Sequence, residues 1–223
     1  ELSKMRFSSR LDAEKMIQNI ENIEVFERAR AAGRGVLLLM PHLGCWEFMN
    51  VFLKGRTKVS ALYDKPNVSG LDDFITSTRE KFGARMFPIN IGGLRQLFKS
   101  LERNELCVFL PDQVPDYGAR GFIGTFFGHD AFTSDLVHRV IRKYDSEIIF
   151  GSVVRDFSEG RVKYRICFEK PADEIYAKDI GVHISSLNSS LEGLVMKAPE
   201  QYQWSYKRYK RLNKLEKNIY RRQ

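Results

Sequence analysis

The chain has 223 residues, 43% of them hydrophobic and 29% charged, an ordinary balance for one folded domain with a substantial core. Its 36 Lys and Arg against 28 Asp and Glu leave a net charge of +8, which suits an anionic partner. No apolar run reaches the ~18 residues of a membrane-spanning helix. Nucleotide-binding glycine motifs and metal-ligand spacings are also missing, so nothing points to a nucleotide or metal enzyme. The chain starts at Glu1 with no initiator Met or signal peptide, so the expectation is a trimmed or processed polypeptide lacking an N-terminal transmembrane helix. Cys45, Cys107 and Cys167 are widely spaced, odd in number and set in apolar surroundings, as buried reduced thiols of a reducing compartment are.

Residues 1–30 read as an N-terminal helical segment, with Leu11, Met16, Ile20, Ile23, Val25 and Phe26 recurring among charges. Val36 to Met40, bounded by Gly35 and Pro41, reads as a buried strand, and a helix follows from about Trp46. Lys58 to Tyr63 is a second strand, the turn formers Asp64 to Gly70 break it, and Leu71 to Phe82 has helical spacing. A short strand spans Arg85 to Ile89. Asn90 and Gly92-Gly93 then open a helix with the stripe Leu94, Leu97, Phe98 and Leu101. Leu106 to Leu110 is a buried strand ending at Pro111-Asp112. Residues 113–133 read as one long loop rich in Gly, Pro and Phe, whose length suggests a functional role. A helix from Ser134 to Tyr144 comes next, then strands Glu147 to Val154 and Arg161 to Glu169 around the turn Phe157-Ser158-Glu159-Gly160. Ile180, Ile184, Leu187, Leu191, Leu194 and Val195 mark the last helix. Residues 197–223 form a basic tail, with nine Lys and Arg against Glu200 and Glu216. The alternation of strands and helices predicts an α/β fold: a single domain over 1–223 with a mostly parallel central sheet flanked by helices.

The heptad Pro41-His42-Leu43-Gly44-Cys45-Trp46-Glu47 carries the chemistry. On one continuous helix, five residues turn roughly 140° past a full circle, and His42 and Glu47 would point apart. Across a strand-to-helix junction, with Gly44 supplying the turn, Glu47 can fold back on His42 and hold it as a general base. Ligands of open α/β sheets sit beyond the carboxyl ends of the strands, where both His42 and Asp112 fall. Cys45 competes as a nucleophile with a His base, but the preference of Cys for burial favours packing. His129, His138 and His183 show no evident partner in the sequence. Arg79 is either an anion or oxyanion contact or a solvated helical residue. Phe122, Phe126, Phe127 and Phe132 are either a cover for the core or part of a pocket for an apolar chain.

Together these residues resemble one family. A His-x4-Asp/Glu pair after an apolar strand is the signature of glycerolipid-type acyltransferases, and the fuller set is similar to the lipid A late acyltransferases. The resemblance rests on the heptad 41–47, on Tyr63-x-x-Pro66-Asn67 followed by Arg79 and Gly83, and on Leu110-Pro111-Asp112-Gln113. It continues in Phe126-Phe127-Gly128-x-x-Ala131-x-Thr133 and in Gln201-Tyr202-x-Trp204-x-Tyr206-Lys207-Arg208-Tyr209-Lys210. It implies a glycerolipid acyltransferase-like fold and acyl transfer from acyl carrier protein to a hydroxyl of a lipid A precursor, at the cytoplasmic face of the bacterial inner membrane. In that reading His42 is the base, Glu47 orients it, Arg79 and Asp112 serve substrate binding, and no metal or cofactor beyond the thioester donor is needed. Partners would be acyl carrier protein, the lipid A precursor and an anionic membrane surface, with no nucleic acid. Two rival readings remain: acylation of another membrane acceptor such as a lysophospholipid or glycolipid, and a non-enzymatic basic module that binds membrane or nucleic acid.

Overall fold

A computed structural model describes residues 2–66, 70–115, 118–158, 160–210 and 220. The first elements are α1 (Leu2–Phe7), α2 (Arg10–Glu14), β1 (Ile17–Glu21), α3 (Ile23–Ala31), β2 (Val36–Leu39), α4 (Phe48–Leu53), β3 (Val59–Tyr63) and α5 (Leu71–Lys81). There follow β4 (Ala84–Pro88), α6 (Ile91–Glu102), β5 (Leu106–Phe109), β6 (Gly121–Phe126), β7 (His129–Ser134), α7 (Leu136–Lys143), β8 (Glu147–Asp156), β9 (Lys163–Glu169) and α8 (Ile180–Val195). Asn67 and five of the tail's basic residues (Arg211, Lys214, Lys217, Arg221 and Arg222) lie outside the described residues.

Seven strands form one sheet in the order β1-β9-β8-β2-β5-β3-β4. The run β8, β2, β5, β3, β4 is parallel throughout. Strand β9 lies antiparallel to β8, and β1 runs parallel to β9 at the edge. The apolar run at β2 takes the middle of the sheet because every residue in it is buried, alternating between two faces. Val36, Leu38 and Met40 face a core with Phe26 of α3 and Phe48 and Phe52 of α4. Leu37 and Leu39 face the opposite core, with Leu97 of α6 and Ile184, Leu187 and Leu191 of α8. Each fully buried leucine contributes about 1.5–3 kcal/mol, so this sheet-with-two-helical-layers arrangement holds the ends of β2 and β5 rigidly. The α/β architecture matches the expectation. Among the described residues no helix is long and apolar enough to cross a membrane.

Two sequence expectations fail. The segment 1–30 is not wholly helical: β1 interrupts it, with Asn22 at φ +54° ending the strand and its side-chain amide donating to Phe168 O at 3.0 Å. A five-residue edge strand buries only part of its surface, so it lacks the apolar alternation that marks inner strands. The 113–133 loop is in large part a hairpin, β6 paired antiparallel with β7. Phe127 and Gly128 join the two strands at φ +48° and +76°, the positive angles that a two-residue I′ turn demands. Phe-Gly is not the usual Asn-Gly signal, and Phe127 is held there by its N–H donating to Glu192 Oε1 at 2.8 Å.

Candidate active site

Strand register assembles the site. In the parallel pair β2–β5, Leu39 lies opposite Phe109, so His42 and Asp112, each three residues beyond, emerge side by side. Asp112 Oδ2 accepts the His42 main-chain N–H at 2.8 Å, and Oδ1 lies 2.7 Å from Nδ1 of the ring. The Asp112 charge also acts on the nearby Tyr202 hydroxyl. Asp112 is 1% exposed. A carboxylate that takes the main-chain N–H on one oxygen takes the ring N–H on the other, which puts the imidazole proton on Nδ1 and leaves Nε2 with a free lone pair. Nε2 faces the side-chain amide of Gln113 at 3.3 Å.

The carboxylate on Nδ1 is therefore that of Asp112, where the five-residue spacing had placed Glu47. Helix α4 begins only at Phe48, with Glu47 as its cap position, and Glu47 pairs with Arg79 at 3.4 Å. The Arg79 guanidinium stacks over the Trp46 ring, 4.7 Å from its centroid, and the His42 ring lies edge-on to Trp46 at 6.1 Å between centroids. Arg79 Nε is buried without a hydrogen-bond partner. Burial lowers the Arg79 pKa, and the Glu47 charge opposes that shift. Asp112, expected among the substrate contacts, is instead turned inward and fully engaged by the protein.

Gly44 makes the turn possible. It sits at φ +60°, and a Cβ there would lie 2.0 Å from Val153 O, so only glycine fits between the junction and β8. The next residue, Cys45, is fully buried in the core, which fits the packing reading. Four main-chain N–H groups of the junction are engaged: His42 to Asp112, Leu43 to Pro41 O, Gly44 to Gln201 O and Cys45 to Val153 O.

The C-terminal segment closes the site, a role that its basic composition concealed. Gln203 N donates to His42 O at 3.1 Å, and Leu43 bridges Tyr202. The Tyr206 hydroxyl lies 2.9 Å from Val114 N and 3.2 Å from Val114 O. Arg208, counted among tail cations, is buried, donating to Phe132 O at 2.7 Å and to Thr133 Oγ1 at 2.6 Å. Burial pushes the Tyr202 hydroxyl's pKa well up, and the Asp112 charge adds to that. Lys207 and Lys210 stay exposed. Tyr202, Tyr206 and Gln113 were legible only as members of motif blocks, without roles. The loop phenylalanines divide: Phe126 is core, packed edge-on to Phe127 at 4.8 Å, while Phe122 is two-fifths exposed. His183 and His138, which seemed solitary, face each other with ring centroids 5.0 Å apart.

Chemically, a neutral imidazole with its Nδ1–H on a buried carboxylate and Nε2 open is a general base for a hydroxyl. Among the described residues no group of three or more His, Cys, Asp or Glu side chains gathers as metal ligands would.

The profile of bacterial lipid A biosynthesis acyltransferases matches residues 2–211. The chain is 28% identical over 201 residues to the lipid A biosynthesis palmitoleoyltransferase of Escherichia coli (strain K12), covering 86% of this chain and 61% of the relative. It is 24% identical over 184 residues to the lipid A biosynthesis acyltransferase of Haemophilus influenzae (strain ATCC 51907 / DSM 11121 / KW20 / Rd), covering 82% and 56%. Against the lipid A biosynthesis myristoyltransferase of Escherichia coli (strain K12) it is 22% identical over 190 residues, covering 84% and 57%. The chain thus spans about three fifths of the length of these curated relatives. With the His42 junction, the Asp112 strand end and the C-terminal block all inside the matched span, the chain belongs to the bacterial lipid A biosynthesis acyltransferase family.

Proposed function

We propose that this chain transfers a fatty acyl group from a thioester on acyl carrier protein to a hydroxyl of a lipid A precursor, at the cytoplasmic face of the bacterial inner membrane. The observation that carries the reading is His42, whose Nδ1 is 2.7 Å from the buried Asp112 carboxylate and whose Nε2 is left as the basic nitrogen. Family membership supports the reaction class. In the reaction, Nε2 takes the acceptor's hydroxyl proton while the oxygen attacks the thioester carbonyl carbon. The tetrahedral adduct then collapses: the C–S bond breaks, its electron pair leaves on sulfur, and His42 returns the proton to the thiolate. Asp112 holds the ring's tautomer and offsets the positive charge that forms on it.

Arg79 supplies a positive charge on the Trp46 ring that neighbours His42, with its Nε unpartnered and its guanidinium braced by Glu47 and Trp46. It serves the phosphate of the acceptor. The exposed Lys207 and Lys210 and the remaining tail cations favour an acidic carrier protein and anionic lipid. The test is mass spectrometry of products formed from a lipid A precursor with a panel of acyl carrier protein thioesters. A mass gain of one acyl chain on the precursor, lost in a folded His42→Ala variant, is the expected result. A folded His42→Ala that still turns over overturns the mechanism, and acylation confined to a lysophospholipid or glycolipid overturns the acceptor.

A further inference from the structure

We infer that Gln113 is a second catalytic residue, its side-chain amide donating a hydrogen bond to the thioester carbonyl oxygen as that oxygen gains charge during acyl transfer. The inference rests on the acyl-transfer reading above and adds to it the group that receives the negative charge.

Acyl transfer needs a donor beside the base, because the carbonyl oxygen becomes an oxyanion within a bond or two of the attacking hydroxyl. In many sites main-chain N–H groups at a strand-to-helix turn fill this role. Here the four nearest the base are already used: the N–H groups of His42, Leu43, Gly44 and Cys45 donate inside the protein. Arg79 keeps an unpartnered Nε–H, but its contacts are to Glu47 and the Trp46 ring rather than to the His42 ring. The Gln113 amide is the polar hydrogen-bond donor that stands at the basic nitrogen itself, 3.3 Å from His42 Nε2. With Nδ1–H committed to Asp112, Nε2 is the acceptor and the amide is the donor.

That contact is longer than the usual 2.9–3.0 Å of an N–H hydrogen bond, so it is weak and easily exchanged. An acceptor hydroxyl that takes the Nε2 lone pair releases the amide, which is then within reach of the carbon under attack and its oxygen. The amide is also neutral. It assists the oxyanion without the penalty that a cation would impose on imidazolium formation next to it.

The position is preorganised from both sides in the chain. Asp112 is pinned by the His42 main chain and ring, and Val114 is pinned at both its N–H and its C=O by the Tyr206 hydroxyl. With the main chain fixed on both sides, only the side-chain torsions of Gln113 remain to be ordered when charge develops, which favours oxyanion stabilisation. In the step itself, the new C–O bond forms as the carbonyl π pair moves to oxygen and Nε2 receives the hydroxyl proton. Gln113 donates to that oxygen until the pair returns, the C–S bond breaks and the thiol leaves with the proton from His42.

The experiment compares wild type with Gln113→Leu, of similar size without a donor, and Gln113→Glu, which presents an acceptor. Two readouts run together on the full chain with acyl carrier protein thioester: thiol release, which also counts transfer to water, and acylated lipid A precursor by mass spectrometry. Both variants should lose about 10²–10³-fold in kcat, with KM for the thioester within about threefold and thermal melting unchanged. Gln113→Glu keeps the result interpretable if the Leu variant does not fold. A folded variant with kcat within threefold of wild type overturns the inference while leaving the acyl-transfer reading intact. Thiol release that depends on Gln113 with no lipid product supports the inference and overturns the choice of acceptor. Wild type that releases no thiol overturns both.

Discussion

Replacing Asp112 by Asn separates the two carboxylates that stand near the base. The substitution keeps size and shape but turns one acceptor into a donor. If the amide oxygen stays on the His42 main-chain N–H, its NH2 meets the ring at the 2.7 Å contact. The imidazole must then carry its proton on Nε2, the wrong nitrogen for a base. If the amide is flipped, its NH2 opposes the His42 N–H in a site that is 1% exposed, leaving a buried donor unpaired at about 1–3 kcal/mol. The first arrangement wins because the buried His42 main-chain N–H keeps its acceptor and the Gln113 amide, 3.3 Å from Nε2, can turn its oxygen to the new Nε2–H; it removes the base. The expected loss is about 10⁴ in kcat, equal to about 5 kcal/mol of barrier, with KM little changed. Steady-state kinetics on the folded variant measure the rate, and 15N NMR of the imidazole reads the tautomer. Glu47→Gln serves as the contrast: it weakens the grip on Arg79 but leaves the proton on Nδ1. An Asp112→Asn enzyme within threefold of wild type, or a Glu47→Gln variant that moves the ring proton, refutes the assignment of Asp112 as the orienting carboxylate.

Gly44→Ala adds a Cβ 2.0 Å from Val153 O at a residue with φ +60°; the backbone must shift, and urea denaturation should show a loss of about 3 kcal/mol or more. Arg208→Met removes the guanidinium from Phe132 O and Thr133 Oγ1 and strips the buried Asp112 of a nearby positive charge. A cost of about 1–3 kcal/mol is expected from the buried acceptors left without their donor, read in the same denaturation assay, and a loss under about 0.5 kcal/mol contradicts the inward role of this residue. His183 is fully buried, and desolvation pulls its pKa from 6.5 to about 4. The unfolded chain therefore binds the extra proton first, so stability is full above pH 6.5 and falls as pH drops towards 4, by about 3 kcal/mol in all. His183→Gln should flatten that slope between pH 6.5 and 4 in denaturation curves taken at several pH values; an unchanged slope assigns it to other groups.

What could be read from the sequence was set by how much of each element is buried. The strands β2 and β5 were legible because both faces are covered, giving unbroken apolar runs with Pro41 and Pro111 just beyond their ends. Helix α6 was legible because Asn90 caps it, its side-chain oxygen accepting from Gly93 N at 2.8 Å. Strand β1 was not, since an edge strand of partly buried residues has no alternation to show. The β6–β7 hairpin was hidden by its turn, where Phe127 adopts a positive φ through tertiary contacts with Glu192, Phe126 and Trp204. Of the site, His42 and Asp112 could be placed at strand ends, but not against each other. Spacing along the chain made Glu47 the nearer candidate. The partner was chosen by register between two strands seventy residues apart, which local pattern does not encode.

The same long-range logic explains why a basic segment contributes a buried arginine. Asp112 must remain ionised in order to hold Nδ1–H, and a carboxylate removed from water is costly unless it is compensated. Two N–H donors from His42 satisfy its oxygens directly. Arg208 bonds Phe132 O and Thr133 Oγ1 instead, so it acts on Asp112 through its field. The turn that carries this stretch points Arg208 inward and leaves Lys207 and Lys210 exposed. One basic block thus serves two purposes: the inward cation stabilises the ionised carboxylate, and the outward cations remain for an anionic surface or partner. Since Gln203 N also bonds His42 O and Tyr206 brackets Val114, whatever shifts this segment shifts the base and the Gln113 amide together.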